Sequence, residues 1–319
     1  MKALISGDWH IRAKKPRNRL DVDYFVTISN KIMQIFDAAK SHKVDFILQP
    51  GDMFDSHSVS NRIIRQTLKL LSHSTVPIYT VPGQHDLVYH SKIWQNTPIG
   101  VTDASNLNVT VLYHEIENGS IIGYKEINGV SFVGSAYNQP IIKLDEDRYQ
   151  FQPFKILICH KLIVDTTNWK GNFSYDYDGT DLLKNHNYDL IVSGDNHQTF
   201  MCEHDGKTLI NTGSLMRTRI DQVDHHPCYF IYDTKTRQYS QHFLKVHDVH
   251  VILDLEKAKK EKEQNASLVG FVNRIEEESG ADDEELNFRK KLAKRMEHQK
   301  KKLGKGVVNI LKEVMSEND

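Results

Sequence analysis

The sequence predicts an α/β protein with two β-sheets, and the order of its apolar segments carries that prediction. Short β-branched runs alternate with longer helical stretches over residues 2–81, as expected of βαβ units and a largely parallel sheet. Hairpin patterns follow in two later segments, with turn dipeptides at Asn128-Gly129 and at Asp205-Gly206. A sandwich of two sheets is the natural way to cover both faces of these strands.

The elements of the first half are predicted in chain order as strand, helix, strand, helix and strand. They lie at Lys2–Ser6, Tyr24–His42, Phe46–Pro50, Asn61–Ser72 and Pro77–Val81. Two further apolar runs, Lys155–Cys159 and Leu190–Ser193, are predicted to be buried strands.

Composition places the chain among globular proteins without indicating a partner. Its 319 residues include 41 basic and 42 acidic side chains, enough for one large α/β domain and an appendage. No apolar run reaches the roughly 18 to 20 residues that cross a bilayer, so we expect no membrane span and a cytoplasmic protein. The three cysteines (Cys159, Cys202 and Cys228) are interpreted as small core residues in a reducing compartment.

The composition changes near Leu255 to charged and helical. We therefore predict a domain at residues 1–253 and a helical arm at residues 254–319. Three apolar stripes of the arm are centred on Phe271, Leu292 and Leu311. These stripes either dock a partner's coiled coil or pack back on the first domain.

Five predicted strands are each followed at once by a polar cluster that could bind metal. The clusters are Asp8-Trp9-His10, Gly51-Asp52-Met53-Phe54-Asp55, Gly83-Gln84-His85-Asp86, Cys159-His160 and Gly194-Asp195-Asn196-His197. Any one of them alone is more often a turn or a helix cap. Because ligands bind beyond the carboxyl ends of strands in α/β sheets, five such clusters predict one shared site. Two divalent cations about 3.5 to 4 Å apart could there clamp and activate a phosphodiester.

The order of these clusters resembles the calcineurin-like metallophosphoesterases over residues 1–250. The resemblance implies a four-layer sandwich of two mixed β-sheets flanked by helices. It implies that one cation is held by Asp8, His10, Asp52 and His197, and the second by Asp52, Gln84, His160 and Asp195. His85 would be the acid that protonates the leaving oxygen, and Asp55 would orient it through a hydrogen bond.

Two positions depart from the family pattern, since Gln84 stands where Asn is usual and Asp195 stands where His is usual. Both residues belong to the ligand set that the resemblance implies for the second cation. A rebuilt site with an added negative charge favours Mn²⁺ or Mg²⁺, while Fe²⁺ and Zn²⁺ remain compatible with the donor set. The alternative interpretation is a decayed site in a non-catalytic subunit.

The flanking residues indicate a branch of the family. Protein phosphatases usually carry Arg at the positions of Ser56 and Pro82. Three segments, among them Asn211–Arg217, are instead similar to the nuclease subunits of SbcCD-type repair complexes. That resemblance implies a manganese-dependent DNA exonuclease and endonuclease in repair, recombination or replication. It also implies a homodimer, an SbcC-like coiled-coil ATPase partner, and the cytoplasm of a bacterial cell or of a virus-infected bacterial cell.

A basic loop after the first cluster supports a DNA substrate independently, because phosphate backbones require a track of cations. The predicted DNA-binding residues are Arg12, Lys14, Lys15, Arg17, Arg19 and Arg217. Three alternatives remain open: an ordinary solvated loop, a nucleotide or small-molecule phosphodiesterase, and a catalytically weakened DNA-binding subunit.

Overall fold

The computed structural model describes residues 1–89, 91–117, 120–144, 151–169, 174–219, 222–257 and 259. The chain divides into two compact units, Met1–Ile252 and Leu253–Asp319. The predicted arm lies outside the described residues except for 254–257 and 259, so its helices and apolar stripes stay predictions.

The described helices and strands follow the alternation that the sequence predicts. The strands are β1 (Lys2–Ile5), β2 (Phe46–Gln49), β3 (Ile78–Thr80), β4 (Val109–Val111), β5 (Glu115–Glu117), β6 (Ser120–Ile122), β7 (Lys125–Ile127), β8 (Val130–Ser135), β9 (Phe154–Lys161), β10 (Ile163–Val164), β11 (Tyr177–Asp178), β12 (Leu190–Asp195), β13 (Phe200–His204), β14 (Lys207–Asn211), β15 (Cys228–Asp233) and β16 (Tyr239–Phe243). The α-helices are α1 (Tyr24–Ser41), α2 (Asn61–Leu71), α3 (Pro98–Ala104), α4 (Gly179–Asn185) and α5 (Val249–Ile252), and a short 3₁₀ turn lies at Trp94–Asn96.

The first sheet contains the predicted βαβ units. Its strand order is β16-β15-β1-β2-β3-β4. Strands β1 to β4 are parallel, whereas β15 runs antiparallel to β1 and β16 runs antiparallel to β15. Because of these two reversals, β16 points in the same direction as β1. The carboxyl ends of β1, β2, β3 and β16 therefore lie at one edge of this sheet.

The second sheet is mixed in the same way, with the strand order β13-β14-β12-β9-β8-β7. Its central strands β8, β9, β12 and β14 are parallel, and the outer strands β7 and β13 close hairpins. Both predicted turn dipeptides occupy those hairpins. Asn128 and Gly129 have φ values of 49° and 84°, and Asp205 and Gly206 have 48° and 72°. A two-residue hairpin turn of type I′ requires positive φ at both positions.

Side-chain alternation along the strands builds a four-layer sandwich, as predicted. In β2, Phe46 and Leu48 face the core between the two sheets, while Ile47 faces the helices α1 and α2. In β9, Ile156 and Ile158 face the same central core, while Leu157 faces α4. Since successive strand residues point to opposite faces, each sheet packs on its partner sheet on one side and on helices on the other.

The sequence also explains where α1 begins. The Asp23 side chain accepts a hydrogen bond from the backbone N–H of Val26 at 3.1 Å and so caps the helix. Ile28, Ile32 and Ile35 then recur at helical spacing and are fully buried. The observed helix ends one residue before the predicted end.

One smaller expectation is also met. Cys159, Cys202 and Cys228 are all free and buried, as small core residues are. Within the described parts of the chain, no helix is long and apolar enough to cross a bilayer.

Candidate metal centre

The five polar clusters converge at the edge formed by the carboxyl ends of the strands. Three sets of donor atoms each lie within 4.8 Å of one another: Asp8, His10 and His197; His10, Asp52 and His85; and Asp8, Asp52 and His160. These sets contain the whole ligand set predicted for the first cation. They bring together donors from both sheets, since His160 belongs to β9 and Asp52 follows β2.

Asp52 lies at the centre of the cluster. Its Oδ2 atom is 3.3 Å from His160 Nε2, 3.8 Å from His10 Nε2 and 3.9 Å from His85 Nε2. Its other oxygen, Oδ1, accepts a hydrogen bond from the backbone N–H of His85 at 2.9 Å. One oxygen of Asp52 therefore positions the cluster at residues 83–86, and the other oxygen faces three imidazole nitrogens. This placement suits the bridging role implied for Asp52.

Asp8 lies beside His10 and His197. Its Oδ2 atom accepts from the backbone N–H of Asp195 at 3.0 Å and lies 3.6 Å from His197 Nε2. The Nε2 atoms of His10 and His197 approach each other to 3.2 Å. Two imidazole nitrogens and a carboxylate directed at one small volume are a donor set for a divalent cation.

Three buried atoms support that interpretation because they lack any hydrogen-bond partner. They are Oδ1 of Asp8, Oδ2 of Asp52 and Nε2 of His160. An unpaired buried polar atom costs about 1 to 3 kcal/mol. Three such atoms on neighbouring residues are therefore an unstable arrangement unless a ligand satisfies them. Divalent cations fit, since all three atoms are acceptors when His160 is deprotonated at Nε2.

The charges of the cluster respond to burial and to each other. Burial raises the pKa of Asp8 well above its ordinary value. Burial would also raise the pKa of Asp52, but the positive charge of His160, 3.3 Å away, keeps it below the usual range. Burial would lower the pKa of His160, yet the negative charge of Asp52 raises it. Without cations, Asp52 and His160 are thus held as a carboxylate and an imidazolium.

The other two ligand histidines are held neutral. Burial lowers the pKa of His10 to about 3 and that of His197 to about 4. Neutral imidazole is the form that binds a metal, so both side chains are ready to bind near neutral pH.

Outer contacts fix the rings of two ligand histidines. The Nδ1–H of His160 donates to the carbonyl oxygen of Pro50 at 2.8 Å, which leaves Nε2 facing Asp52. The side-chain Nε2 of Gln222 lies 3.3 Å from Nδ1 of His197, and it also donates to Ser214 Oγ at 3.0 Å. Contacts of this kind orient metal ligands. Sequence reasoning missed Gln222, because no local motif contains it.

The ligand loops adopt an unusual backbone conformation. His10, Asp52 and Asp195 have φ values of 49°, 48° and 73°, in the left-handed region that non-glycine residues rarely occupy. Such strain persists where the surroundings enforce it, and it concentrates at functional sites. The motif glycine Gly83 shows the crowding, since an added Cβ would lie 2.2 Å from Asp52 Oδ1.

Asp86 braces these strained loops. Its buried carboxylate accepts hydrogen bonds from the backbone N–H groups of Met53 at 3.2 Å, Phe54 at 2.9 Å and Gly83 at 3.0 Å. Asp86 thereby joins the cluster at residues 51–55 to the cluster at residues 83–86. The sequence placed Asp86 beside His85 but did not reveal this role, since its partners Met53 and Phe54 lie 33 and 32 residues away in the chain.

His85 lies where the proposed acid belongs, but its partner differs from the expected one. The Nδ1–H of His85 donates to the backbone carbonyl of Asp55 at 3.1 Å, and not to its carboxylate. The Asp55 carboxylate pairs with Arg12 Nη1 at 2.6 Å and lies 3.7 Å from His10 Nδ1. Residue 55 thus orients His85 through its main chain, a contact that does not require a carboxylate.

The two predicted ligands that depart from the family pattern line the cleft beside the cluster. Gln84 and Asp195 border a cavity of about 700 Å³ together with His85 and His197. Asp195 does not belong to any of the three tight donor sets, although burial raises the pKa of its carboxyl group. Asp52 and His160 therefore form the tightly grouped part of the predicted second cation site, and Gln84 and Asp195 form its open side.

The predicted DNA-binding residues fall into two groups. Lys14, Lys15 and Arg17 are exposed on the loop after β1, and Arg12 is partly exposed. Arg19 and Arg217 are only 3% and 5% exposed.

The prediction for Arg19 and Arg217 is therefore corrected. Arg19 pairs with Asp21 at 2.7 Å and donates to the backbone oxygen of Arg217 at 3.0 Å. Arg217 donates through Nε to the backbone oxygen of His225 at 2.5 Å. Both guanidinium groups satisfy buried polar atoms of the protein, so they are not surface cations for a phosphate backbone.

The arrangement of the site agrees with the comparison of the sequence with known families. The profile of the calcineurin-like phosphoesterases matches residues 1–199, more than half of the chain. The chain belongs to the calcineurin-like phosphoesterases. It is accordingly a hydrolase of phosphoesters, and this family uses divalent metals.

Two solved structures are similar at low identity. One is a novel archaeal phosphodiesterase, 13% identical, which matches over 76% of this chain and 100% of its own with a TM-score of 0.39. The other is GAP50, the anchor in the inner membrane complex of Plasmodium, 14% identical over 79% of this chain and 90% of its own, with a TM-score of 0.41. The family assignment rests on the sequence profile and not on these two likenesses.

Replacing the bracing carboxylate should destabilise the protein. Asp86→Ala leaves the buried N–H groups of Met53, Phe54 and Gly83 without acceptors, and we expect a loss of about 3 kcal/mol or more in the free energy of unfolding. Urea denaturation measures it. Asp181→Ala is the control, because its pair with Lys184 is exposed and worth about 0 to 1 kcal/mol. Equal stability of the two variants would contradict the bracing role.

Metal affinity should increase with pH. The pKa values of Asp8 and His160 are raised, so both groups retain protons that a cation must displace. Affinity for Mn²⁺ is therefore expected to be weak at acidic pH and to strengthen as the pH rises through and above 6.5, the ordinary value for His. Isothermal titration calorimetry in buffers with different ionisation enthalpies should show proton release, and a pH-independent affinity would contradict it.

Proposed function

We propose that this phosphoesterase is a DNA nuclease that hydrolyses phosphodiester bonds with two divalent cations, of which Mn²⁺ is the preferred one. One observation carries the proposal: the exposed cations Lys14, Lys15 and Arg17 lie on the loop that leaves the metal ligand His10. The places where protein phosphatases hold a phosphomonoester with arginine are occupied by Ser56 and Pro82. The site thus lacks the two arginines that would hold a phosphomonoester. Exposed cations instead lie beside it, where they can bind a phosphate backbone.

The described surface extends this set of cations beyond the loop. Lys15 and Arg62 line the same concavity of about 410 Å³, and Arg62 is exposed near the start of α2. Two acidic residues also line it, but Asp21 is paired with Arg19 and Asp23 caps α1. Arg19 thus balances the charge of Asp21, and the concavity presents Lys15 and Arg62 to a ligand beside the one carboxylate of Asp23. Arg62 is therefore added to the proposed DNA-binding residues, from which Arg19 and Arg217 are removed.

The roles of the residues follow from the donor chemistry. Asp8, His10, Asp52, His160 and His197 would hold the cations, with Gln84 and Asp195 on the open side. When bound, the cations neutralise phosphate charge and activate water. His85 donates its Nδ1–H to the Asp55 carbonyl, so its Nε2 can carry a proton to the leaving sugar oxygen.

The partner assignments belong to the same proposal and rest on the sequence alone. We propose a homodimer and an SbcC-like coiled-coil ATPase that docks on residues 254–319, and a role in DNA repair, recombination or replication. The argument rests on the apolar stripes predicted for that segment. Its charged residues suit water, whereas apolar stripes need a surface that covers them.

The nuclease proposal and the role of His85 can be tested together. The wild-type chain should degrade labelled single- or double-stranded DNA with Mn²⁺ and not with a chelator. His85→Ala should lower cleavage about 100- to 10,000-fold, because it removes the general acid. Bound metal, measured by atomic absorption, should stay nearly unchanged.

His114→Ala is the matched control, since His114 is a buried histidine that bonds to the Gly134 carbonyl outside the metal cluster. Loss of metal from His85→Ala would instead make His85 a ligand. A wild-type protein that cleaves small phosphodiesters but not DNA would favour the small-molecule phosphodiesterase. A protein that binds DNA and cleaves neither would favour the weakened subunit.

Removing the loop cations should weaken DNA binding without harming the chemistry. In the triple variant Lys14→Ala, Lys15→Ala and Arg17→Ala, the salt dependence of duplex binding should flatten by up to about 0.9 log units per lost phosphate contact. Hydrolysis of a chromogenic phosphodiester should barely change. Arg12 is kept because its ion pair with Asp55 supports the site.

A matched control changes the same number of basic residues at the opposite edge of the first sheet. Lys2, Lys40 and Lys235 are exposed there, at the start of β1, at the end of α1 and just after β15. Their replacement by Ala should leave the salt dependence of DNA binding intact. Equal losses in the two triple variants would mean that only net charge matters, and the proposed track would be wrong.

A further inference from the structure

An exposed aromatic residue stands at the rim of the cleft that contains the metal centre. Phe243, the last residue of β16, is 62% exposed. His226 contacts it edge to face, with ring centroids 6.2 Å apart and an interplanar angle of 82°. An edge-to-face partner fixes the orientation of the Phe243 ring while covering only part of it. A large apolar ring is therefore left open to solvent and held in place.

Phe243 and the catalytic groups share one cavity. The cleft of about 700 Å³ is bordered by His85 and His197 at the metal centre and by His226 and Phe243 at the rim. Its volume lies in the range of about 300 to 1,000 Å³ that is usual for small-molecule ligands, so a single nucleotide fits. A phosphate at the metal centre would thus have its attached nucleoside in the cavity that the aromatic ring also lines.

The rim is joined firmly to the metal centre. Ser214 forms a β-bridge with the ligand Asp8, and its carbonyl oxygen accepts from His225 Nε2 at 2.6 Å. His226 follows directly in the chain. On the other side, β15 places Cys228 opposite Phe243. The ring pair is thus positioned relative to the ligands by a side-chain hydrogen bond from His225 on one side and by backbone pairing of β16 with β15 on the other.

Polar groups around the ring suit the edge of a nucleobase. Gln198 and Gln241 are exposed amides that line the cleft, and Arg219 is an exposed guanidinium on the same wall. Amides can donate to and accept from any base, whereas Arg219 can pair with the next phosphate or stack on a base. An aromatic face, two amides and a cation together form a sequence-tolerant base site.

We propose that Phe243, supported by His226, is a stacking platform for an unpaired nucleobase of the DNA strand next to the reacting phosphate. Unpaired bases stack on aromatic side chains, whereas a base within a duplex is already stacked on its neighbours. The site therefore selects strand ends and single strands, while the loop cations bind the backbone of either form. This inference rests on the proposed nuclease function.

The test measures equilibrium binding of DNA to the full chain in the presence of a chelator, so that no cleavage occurs. Fluorescence anisotropy is recorded with a labelled short oligothymidylate and with a labelled blunt duplex. Phe243→Ala should weaken single-strand binding about tenfold, as loss of one stacked base does, and leave duplex binding unchanged. Phe243→Tyr retains the ring and should bind like the wild type. Tyr124→Ala, at an exposed aromatic outside this cleft, is the control.

The outcomes separate this site from the proposed function. If the wild type binds neither form of DNA and also cleaves neither form with Mn²⁺, the nuclease proposal fails and the platform fails with it. If the wild type binds both forms and Phe243→Ala alters neither, the platform alone is wrong. If Phe243→Ala leaves single-strand affinity intact but changes the mass measured by light scattering, the ring belongs to a contact between copies, which also overturns the proposal.

A kinetic measurement gives a second, independent reading. Two chromogenic phosphodiesters share the p-nitrophenolate leaving group, and one carries thymidine where the other carries a methyl group. With Mn²⁺, Phe243→Ala should raise KM for the thymidine ester about tenfold, leave its kcat unchanged, and leave both constants for the methyl ester unchanged. Equal changes for the two esters would show that Phe243 acts on the metal centre and not on the base.

Discussion

The metal centre depends on one buried carboxylate, that of Asp52, which must be held between two β-sheets. Asp52 follows β2 in the first sheet, and His160, 3.3 Å away, belongs to β9 in the second. A carboxylate buried there is stable only with an opposite charge close by, and its unpaired Oδ2 atom still requires a further partner. The position of the ligands is therefore set by the packing of the two sheets, through the apolar core that contains Phe46, Leu48 and Ile158.

Holding Asp52 also requires a backbone that the chain does not favour on its own. Asp52 and its neighbour in space, His10, both adopt left-handed conformations. Their loops are joined by backbone hydrogen bonds, since the N–H groups of Trp9 and His10 donate to the Asp52 carbonyl at 3.2 and 2.9 Å. Side chains outside the ligand set complete the support: Gln49 accepts from the Gly51 N–H at 3.2 Å, and Asp86 accepts from the loop that follows. Strain is thus concentrated where the donors must converge, and the surrounding hydrogen bonds offset it.

The charges around the centre are divided between structure and binding. Arg12 neutralises Asp55, and Arg19 neutralises Asp21, so these two arginines stabilise loops next to the ligands. Lys14 and Arg17 remain on the surface of the same loop. A substrate with a long anionic backbone would use the second group and depend on the first only indirectly. The aromatic rim lies in the cleft itself, where a single strand, if it is the substrate we propose, would gain contacts with its bases as well as its phosphates.

The sequence by itself determined the strands and helices of the first half of the domain and brought out the donors that the structure groups together. Apolar periodicity reports burial locally, and donors placed directly after strands must meet at one edge of a sheet, so Asp8, Asp52 and His160 could be found without coordinates. Only the tertiary structure decided which cations are exposed: Arg19 and Lys14 look alike in the sequence, but Arg19 lies against Asp21 and the backbone of Arg217. It likewise placed Gln222 behind His197 and Phe243 at the cleft. These contacts join residues far apart in the chain, and their geometry follows from how the sheets and loops pack, which no local pattern encodes.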